Sequence, residues 1–389
     1  MDWEAIEYQY LGDNRFFGRL VGVWPNQEKY LKYFLRSFVL LTMILSFTTQ
    51  IARIVKFFDK NVLADQVMYL TIGCALLIKQ YNYILNEDKL RELLHNIVSD
   101  RLMDRPEDEV AILEMYGKRA LVLSFFYKVT LIGCGSMFIL IPAIPSVLNI
   151  VVPLNESRSR ELIYPSYYFV DEQRYYYPKL VHMELVTVIF ITMFIACDTH
   201  LIHIVHHGCA LSYISGYRFK HALDDFDPAN QNAERIDRAY AKVRRSVEAH
   251  KSAVDYVDKI EACHTNYFLI MIASIVTVFT LTFVMVATME FGPRFFIYCI
   301  CIMGQMIHLL FLTILGQFVI NTNDETFLTI CENCWYKGVP RTRLLYVLVL
   351  RKCLDPPILT GGKMVYLNLE TFVQVMKVSF SYYTMLRST

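Results

Sequence analysis

The sequence predicts an all-α membrane protein with seven transmembrane helices, a cytosolic N-terminus, an extracellular C-terminus and a helical cytosolic anchor domain. Three observations carry this. Of the 389 residues, 55% are hydrophobic and only 19% are charged, too few water-facing groups to cover a globule of this size. Apolar runs of roughly 20 residues recur along the chain, each long enough to cross about 30 Å of hydrocarbon. Lys and Arg are roughly three times as numerous on one set of flanks as on the other, which orients the bundle.

The arm, residues 1–33, carries charges throughout and no apolar core before Phe34, so it is not a signal peptide. The first span is then its own insertion signal. Residues 34–205 hold spans at 34–55, 62–85, 121–143 and 181–205, with an extracellular loop at 144–180. The sequon at Asn155 falls in that loop and is a glycosylation candidate. Residues 206–265 read as a cytosolic helical extension, with Val243, Val247, Val254, Val257 and Ile260 mostly at helical steps among charges. Residues 266–318 hold two spans, 266–289 and 295–318, separated by a tight Gly292-Pro293 turn. Residues 319–363 form a cytosolic anchor segment with helices at 324–336 and 343–354. Residues 364–389 are the last span, and the chain closes three residues past Leu386.

This orientation is the reverse of a G-protein-coupled receptor's. Such a receptor also usually shows Asp/Glu-Arg-Tyr after its third helix and Asn-Pro-x-x-Tyr in its seventh, and neither is present. Net charge is +1, which gives no reason to expect nucleic acid. No phosphate loop, His-Glu-x-x-His or Gly-x-Ser-x-Gly occurs, so no enzyme and no cofactor is expected. The ten cysteines are scattered and read as reduced thiols. Cys331-x-x-Cys334 lacks a second pair for zinc.

Several residues admit two readings. Lys79, Lys128, Glu184 and Asp198 stand inside spans, where charge is costly. Lys79 and Asp198 are expected near a cytosolic end, with Lys79 snorkelling, and Lys128 paired within the bundle. His200, His203, His206 and His207 share a helix face, as a metal site needs, but a helix end at the interface is the plainer reading, and no metal is expected. Tyr164, Tyr167, Tyr168 and Tyr175 to Tyr177 suit an aromatic belt, with a lid over a vestibule as the second reading.

Three patches carry a resemblance: Leu20-Val21-Gly22-Val23-Trp24-Pro25; Glu332-Asn333-Cys334-Trp335-Tyr336; and Pro356-Pro357-Ile358-Leu359-Thr360-Gly361-Gly362-Lys363 followed by Leu369-Glu370-Thr371-Phe372 and Lys377 to Leu386. Together with length and topology they resemble the insect odorant receptor family. Many members carry Ala where Thr360 stands, a departure without evident consequence. The closing residues differ from those of the shared co-receptor, so the resemblance implies a tuning subunit. It implies a ligand-gated, non-selective cation channel: a heterotetramer with the co-receptor subunit, in the plasma membrane of olfactory neuron dendrites, opened by a small volatile ligand. A metabotropic receptor or a transporter is the alternative.

On that resemblance Ser381, Met385, Ser388 and Thr389 form a pore stripe, against close helix packing as the plain reading. Trp335 and Tyr336 are the expected subunit anchors. The pocket is expected in the outer half of the bundle, among Met68, Tyr69, Ile72, Gly133, Ser136, Met137, Leu140, Met183, Thr187, Phe279 and Phe283, since an apolar volatile needs shape, aromatics and Met.

Overall fold

In the computed structural model the described residues are 2–388 without 152–157, 159, 161, 172–173, 225, 227–231 and 290–291. Helix α1 (Trp3–Leu20) opens on Asp2, whose carboxylate accepts the Trp3 N–H at 2.8 Å. It stops at Gly22, with φ at +72°. There the Val23 N–H reaches back to the Gly18 carbonyl at 2.9 Å, the long bond of a Schellman cap that only a left-handed residue allows. In α2 (Lys29–Lys56), Arg36 donates to the Gly22 carbonyl at 2.8 Å and Lys32 to the Pro25 carbonyl at 2.9 Å. Both cations also hold Glu87, the first residue of α4 (Glu87–Leu102). Burial alone raises the Glu87 carboxyl; the two cations outweigh it and hold the group below its ordinary value. The Gly-Val-Trp-Pro patch is thus a joint between three helices, with Trp24 buried in it.

Six helices are long and apolar enough to cross a membrane, among the described residues and by length and composition alone. They are α2, α3 (Lys60–Leu85), α5 (Glu107–Leu140), α7 (Tyr176–His221), α8 (Ala233–Thr288) and α9 (Pro293–Glu332). Their outer faces leave Leu41, Val55, Phe125, Phe126 and Val181 exposed, which suits lipid and not water. Helix α5 opens on Glu107, Asp108 and Glu109, which complement its positive end. Helix α9 opens on a proline, whose missing N–H is one of the unpaired donors of a helix start. A short α6 (Ile144–Val151) follows α5.

Three of these helices run 46, 56 and 40 residues (α7, α8 and α9). The separate helix expected at 324–336 is instead the end of α9, continuous to Glu332. Beyond the spans, α7, α8, α9 and α10 (Pro340–Cys353) close a second core of Phe219, Val243, Ile330, Tyr346 and Val349. Asn333 Nδ2 donates to the carbonyls of Phe219 at 2.5 Å and Lys220 at 3.1 Å, and the Tyr346 hydroxyl to Phe219 at 2.9 Å. These donors satisfy the last carbonyls of α7, which have no partner within the helix.

Helix α11 (Leu369–Ser388) has 20 residues. It starts five residues later than the expected Met364. The intervening chain is an antiparallel hairpin, β1 (Thr360–Gly361) with β2 (Val365–Tyr366). The hairpin docks on α8. The Gly362 N–H donates to the Thr265 carbonyl at 2.9 Å, and a Cβ on Gly362 would stand 2.6 Å from Leu269. Thr360 is not without consequence: its N–H and hydroxyl both donate to Glu261 of α8.

Candidate ligand cavity and buried charge cluster

A cavity of ≈ 160 Å³ lies between α2, α3, α5, α7 and α9. Its walls are Met43 on α2, Ile72 and Leu76 on α3, Leu131 and Phe138 on α5, Phe190 and Phe194 on α7, and Ile300 on α9. Small residues make the room. A Cβ on Gly304, which lines the cavity on α9, would meet nothing within 4 Å. A Cβ on Gly135 would stand 2.0 Å from Ile191 Cδ1, another wall residue, so that side chain would have to shift. A dry cavity of about 150 Å³ lined by such side chains is enough for benzene. A wider crevice of ≈ 1010 Å³ between α5, α7 and α9 is lined by Met115, Val122, Leu123, Phe126 and Phe318 together with Glu114, Lys118, Arg119 and Glu325.

The chain segment at 163–169 roofs one end. Tyr164 lines the cavity and shares a 3.0 Å hydrogen bond with Ser46 of α2. The Tyr167 N–H donates to the Thr49 carbonyl at 3.0 Å, and Gln66 Nε2 to the Pro165 carbonyl at 2.9 Å. Tyr164 therefore belongs to a lid and not to a lipid-facing belt.

Of the residues expected from sequence, Tyr69, Ile72 and Thr187 line this cavity. Met183 is fully buried beside the roof, packed with Ile163 and Tyr164. Met68 packs instead with Val278, Met285 and Tyr298. On α5 the expected face is turned away: Met137 and Leu140 are 47% and 62% exposed, and a Cβ at Gly133 meets open space. Ser136 returns its hydroxyl to the Ile132 carbonyl. Leu131, Cys134, Gly135 and Phe138 point inward in their place. Phe279 and Phe283 stack on each other at 5.7 Å away from the cavity, and Phe283 meets Tyr383 of α11 at 6.2 Å. The expected residues include none on α2 or α9, although the sixth span, now part of α9, was expected among the pocket helices. Gln305 and His308 on α9, polar residues three apart within an apolar run, were the available signal.

Below the cavity sits a cluster of charge. Lys79 of α3 has no accessible surface. Its ammonium donates to Asp198 of α7, to the Tyr267 hydroxyl of α8 at 2.7 Å, and faces His308 Nε2 of α9 at 3.5 Å. It also stands 4.3 Å from the Phe194 ring centroid. The Tyr127 hydroxyl of α5 donates to the other Asp198 oxygen. The expectation that Lys79 snorkels is corrected: a full set of partners holds it inside. Lys128 pairs with Asp13 of α1 and not within the bundle of spans. The four histidines on α7 find different partners. His200 meets Tyr83, His203 Ser124, His206 the Ile202 carbonyl and His207 Asp100.

Helix α11 packs on α8 through Thr371, Val375 and Ser379, which are buried, with Thr280 donating to the Ser379 carbonyl. Ser381 and Met385 lie on its exposed face. Ser388 ends the helix, and Thr389 lies outside the described residues, as does Asn155. Trp335 packs against the second core, whereas Tyr336 is exposed.

These features define a mostly helical protein with helices fit to span a membrane and an apolar cavity between five of them. The chain belongs to the 7tm odorant receptor family, whose model matches residues 61–380; it is a receptor and not an enzyme. Its fold is that of the insect olfactory receptor OR5 from Machilis hrabei. The OR5 complex with eugenol superposes with a TM-score of 0.82 at 11% identity, covering 100% of both chains. A second structure of OR5 from Machilis hrabei superposes with a TM-score of 0.78 at 14% identity, covering 99% of each chain. A sequence comparison with curated proteins gives no match.

Proposed function

We propose that the chain is the odorant-binding, tuning subunit of a ligand-gated, non-selective cation channel in the plasma membrane of olfactory neuron dendrites. It assembles with the family's co-receptor as a heterotetramer. The observation that carries this reading is the roofed apolar cavity, of a size for one small volatile, set among five helices. Eugenol, the molecule in the OR5 complex, is a guest of this kind. Binding biases the closed-to-open equilibrium only through differential affinity for the two states. The path from cavity to gate is physical: His308 touches the charge cluster, Tyr267 of that cluster belongs to α8, and α8 carries α11 through Thr280 and Phe283. Helix α11 then acts as the seventh span, with Ser381 and Met385 toward the conduction path. Trp335 and Tyr336 supply contacts to neighbouring subunits.

Co-expression with the co-receptor, with current recorded under an odorant panel while nucleotide-dependent signalling is blocked, tests the reading. Fast current needing both chains is the expected result. Signalling through a G protein, or uptake without current, selects the metabotropic or transporter alternative. Ile72→Trp, which fills the cavity, is expected to abolish responses without reducing surface delivery.

A further inference from the structure

The wide crevice between α5, α7 and α9 changes character along its length, and two of its walls change at the same height. On α5 its lower wall is Glu114, Lys118 and Arg119. Upward, toward the apolar cavity, the same face continues as Val122 and Phe126, at the three- and four-residue steps that share one side of a helix. On α9, Phe318 stands above and Asn321 and Glu325 stand below.

Helix length fixes where this change falls in a bilayer. Arg119 lies roughly 31 Å from the far end of α5 at Leu140, at 1.5 Å per residue. That is the thickness of a hydrocarbon core of about 30 Å. The apolar run of α9 gives way to polar residues at Asn321, on the facing wall. The upper half of the crevice therefore stands in hydrocarbon and the lower half among headgroups. Val122 and Phe126 are 56% and 63% exposed, so the crevice opens sideways to lipid.

The charges at the lower end are already sorted. Lys118 pairs with Glu114 one turn away, at 3.6 Å. One cation and one anion are left over. The Arg119 guanidinium lies 5.1 Å from the ring centroid of Tyr116, a buried side chain that fixes its place. Among the described residues neither Arg119 nor Glu325 forms an ion pair, and both are exposed.

We propose that this crevice binds a phospholipid with a zwitterionic headgroup ending in a primary ammonium, as in phosphatidylethanolamine. The phosphate sits on Arg119, the ammonium on Glu325, and the acyl chains run up Val122, Phe126 and Phe318. A guanidinium presents paired donors that match two phosphate oxygens. An ammonium has three donors, which Glu325 and the Asn321 amide oxygen can accept. A choline headgroup has no N–H to give, and an anionic lipid without the amine leaves Glu325 unmatched. A soluble phosphate ester leaves the apolar upper wall bare. The site needs only that the helices span a bilayer and is independent of the channel reading.

The test reconstitutes the full chain with the co-receptor in phosphatidylcholine vesicles. A small fraction of phosphatidylethanolamine carries a photoreactive diazirine on one acyl chain, and labelled peptides are mapped by mass spectrometry. In this chain, labelling is expected to concentrate at 118–126 and 315–325. Unlabelled phosphatidylethanolamine is expected to compete roughly tenfold better than phosphatidylglycerol, which keeps the phosphate and lacks the amine. Soluble glycerophosphoethanolamine is expected not to compete. Arg119→Gln is expected to cut the labelling about five- to tenfold, and Glu325→Gln to erase the preference over phosphatidylglycerol. Labelling spread evenly over the crevice, Leu41 and Val181 marks bulk lipid and overturns the proposal. Phosphatidylglycerol competing as well as phosphatidylethanolamine overturns it, as does labelling that neither substitution changes. Competition by the soluble headgroup equal to that of the lipid also overturns it. If a variant fails to assemble, the competition series on the unaltered chain decides. Localised, competed labelling in a pair that gives no odorant current leaves the lipid site standing and removes the channel reading.

Discussion

Lys79 and Asp198 form a pair with almost no accessible surface. Removing one partner leaves the other charge buried alone, which costs on the order of 3–5 kcal/mol. Lys79→Met is therefore expected to lower the thermal midpoint in detergent and cut surface delivery sharply. Lys79→Met with Asp198→Asn is expected to recover part of both, because the orphan charge is gone. Equal damage in single and double variants would assign the cluster a role beyond charge balance. At Gly135 the effect is shape. Gly135→Ala sets a methyl against Ile191 on the cavity wall, so odorant preference is expected to shift, read from dose–response curves across a homologous series. Both charges were visible in the sequence, and so was their cost in a membrane. Their pairing was not, because 119 residues separate them and no local pattern records a contact at that distance. Met137 was misplaced for a related reason. A span surrounded by lipid on one side and apolar neighbours on the other is hydrophobic all round, so no polar stripe marks its facing.

Among the elements, α11 depends on a close approach. A Cβ on Gly316 of α9 would stand 1.9 Å from the Leu367 carbonyl oxygen, a backbone atom that cannot swing aside. Gly316→Ala is expected to cost about 1–3 kcal/mol and to loosen the chain entering α11, lowering maximal current with little change in odorant preference. Gly304→Ala on the same helix meets open space and is expected to change preference while sparing maximal current. Whole-cell recordings with surface labelling separate the two. Met385→Glu, on the exposed face of α11, is expected to alter ion selectivity or block and leave the order of odorant preference intact. A reordering with permeation spared would remove this face from the pore wall. The helices themselves were largely legible: apolar length located the spans, and Val243, Val257 and Ile260 announced the α8 extension, with Val243 buried in the second core and Val257 and Ile260 in the main one. The start of α11 was not, because Val365 and Tyr366 are as apolar as helix residues and only their docking on α8 makes them a hairpin.

For the molecule as a whole, the Lys and Arg asymmetry implies a C-terminus outside. A tag after Thr389 is expected to bind antibody on intact cells, and Asn155→Gln to remove any glycan. A tag reached only after permeabilisation would reverse the orientation. The bundle's general form was readable because membrane insertion reads the same quantity as the eye, apolar length. The cavity was not, since it is a property of five helices together and of what glycine omits. One feature bears on how such a protein is made. Lys79 and its counter-ion leave the ribosome 119 residues apart. At about 5–20 residues per second, α3 waits roughly 6–24 s before α7 is synthesised. In that interval its ammonium lacks the carboxylate, and an unpaired Lys inside a span is costly. Insertion of α3 is therefore expected to be completed only once α7 arrives, a demand on biogenesis that the folded state no longer shows.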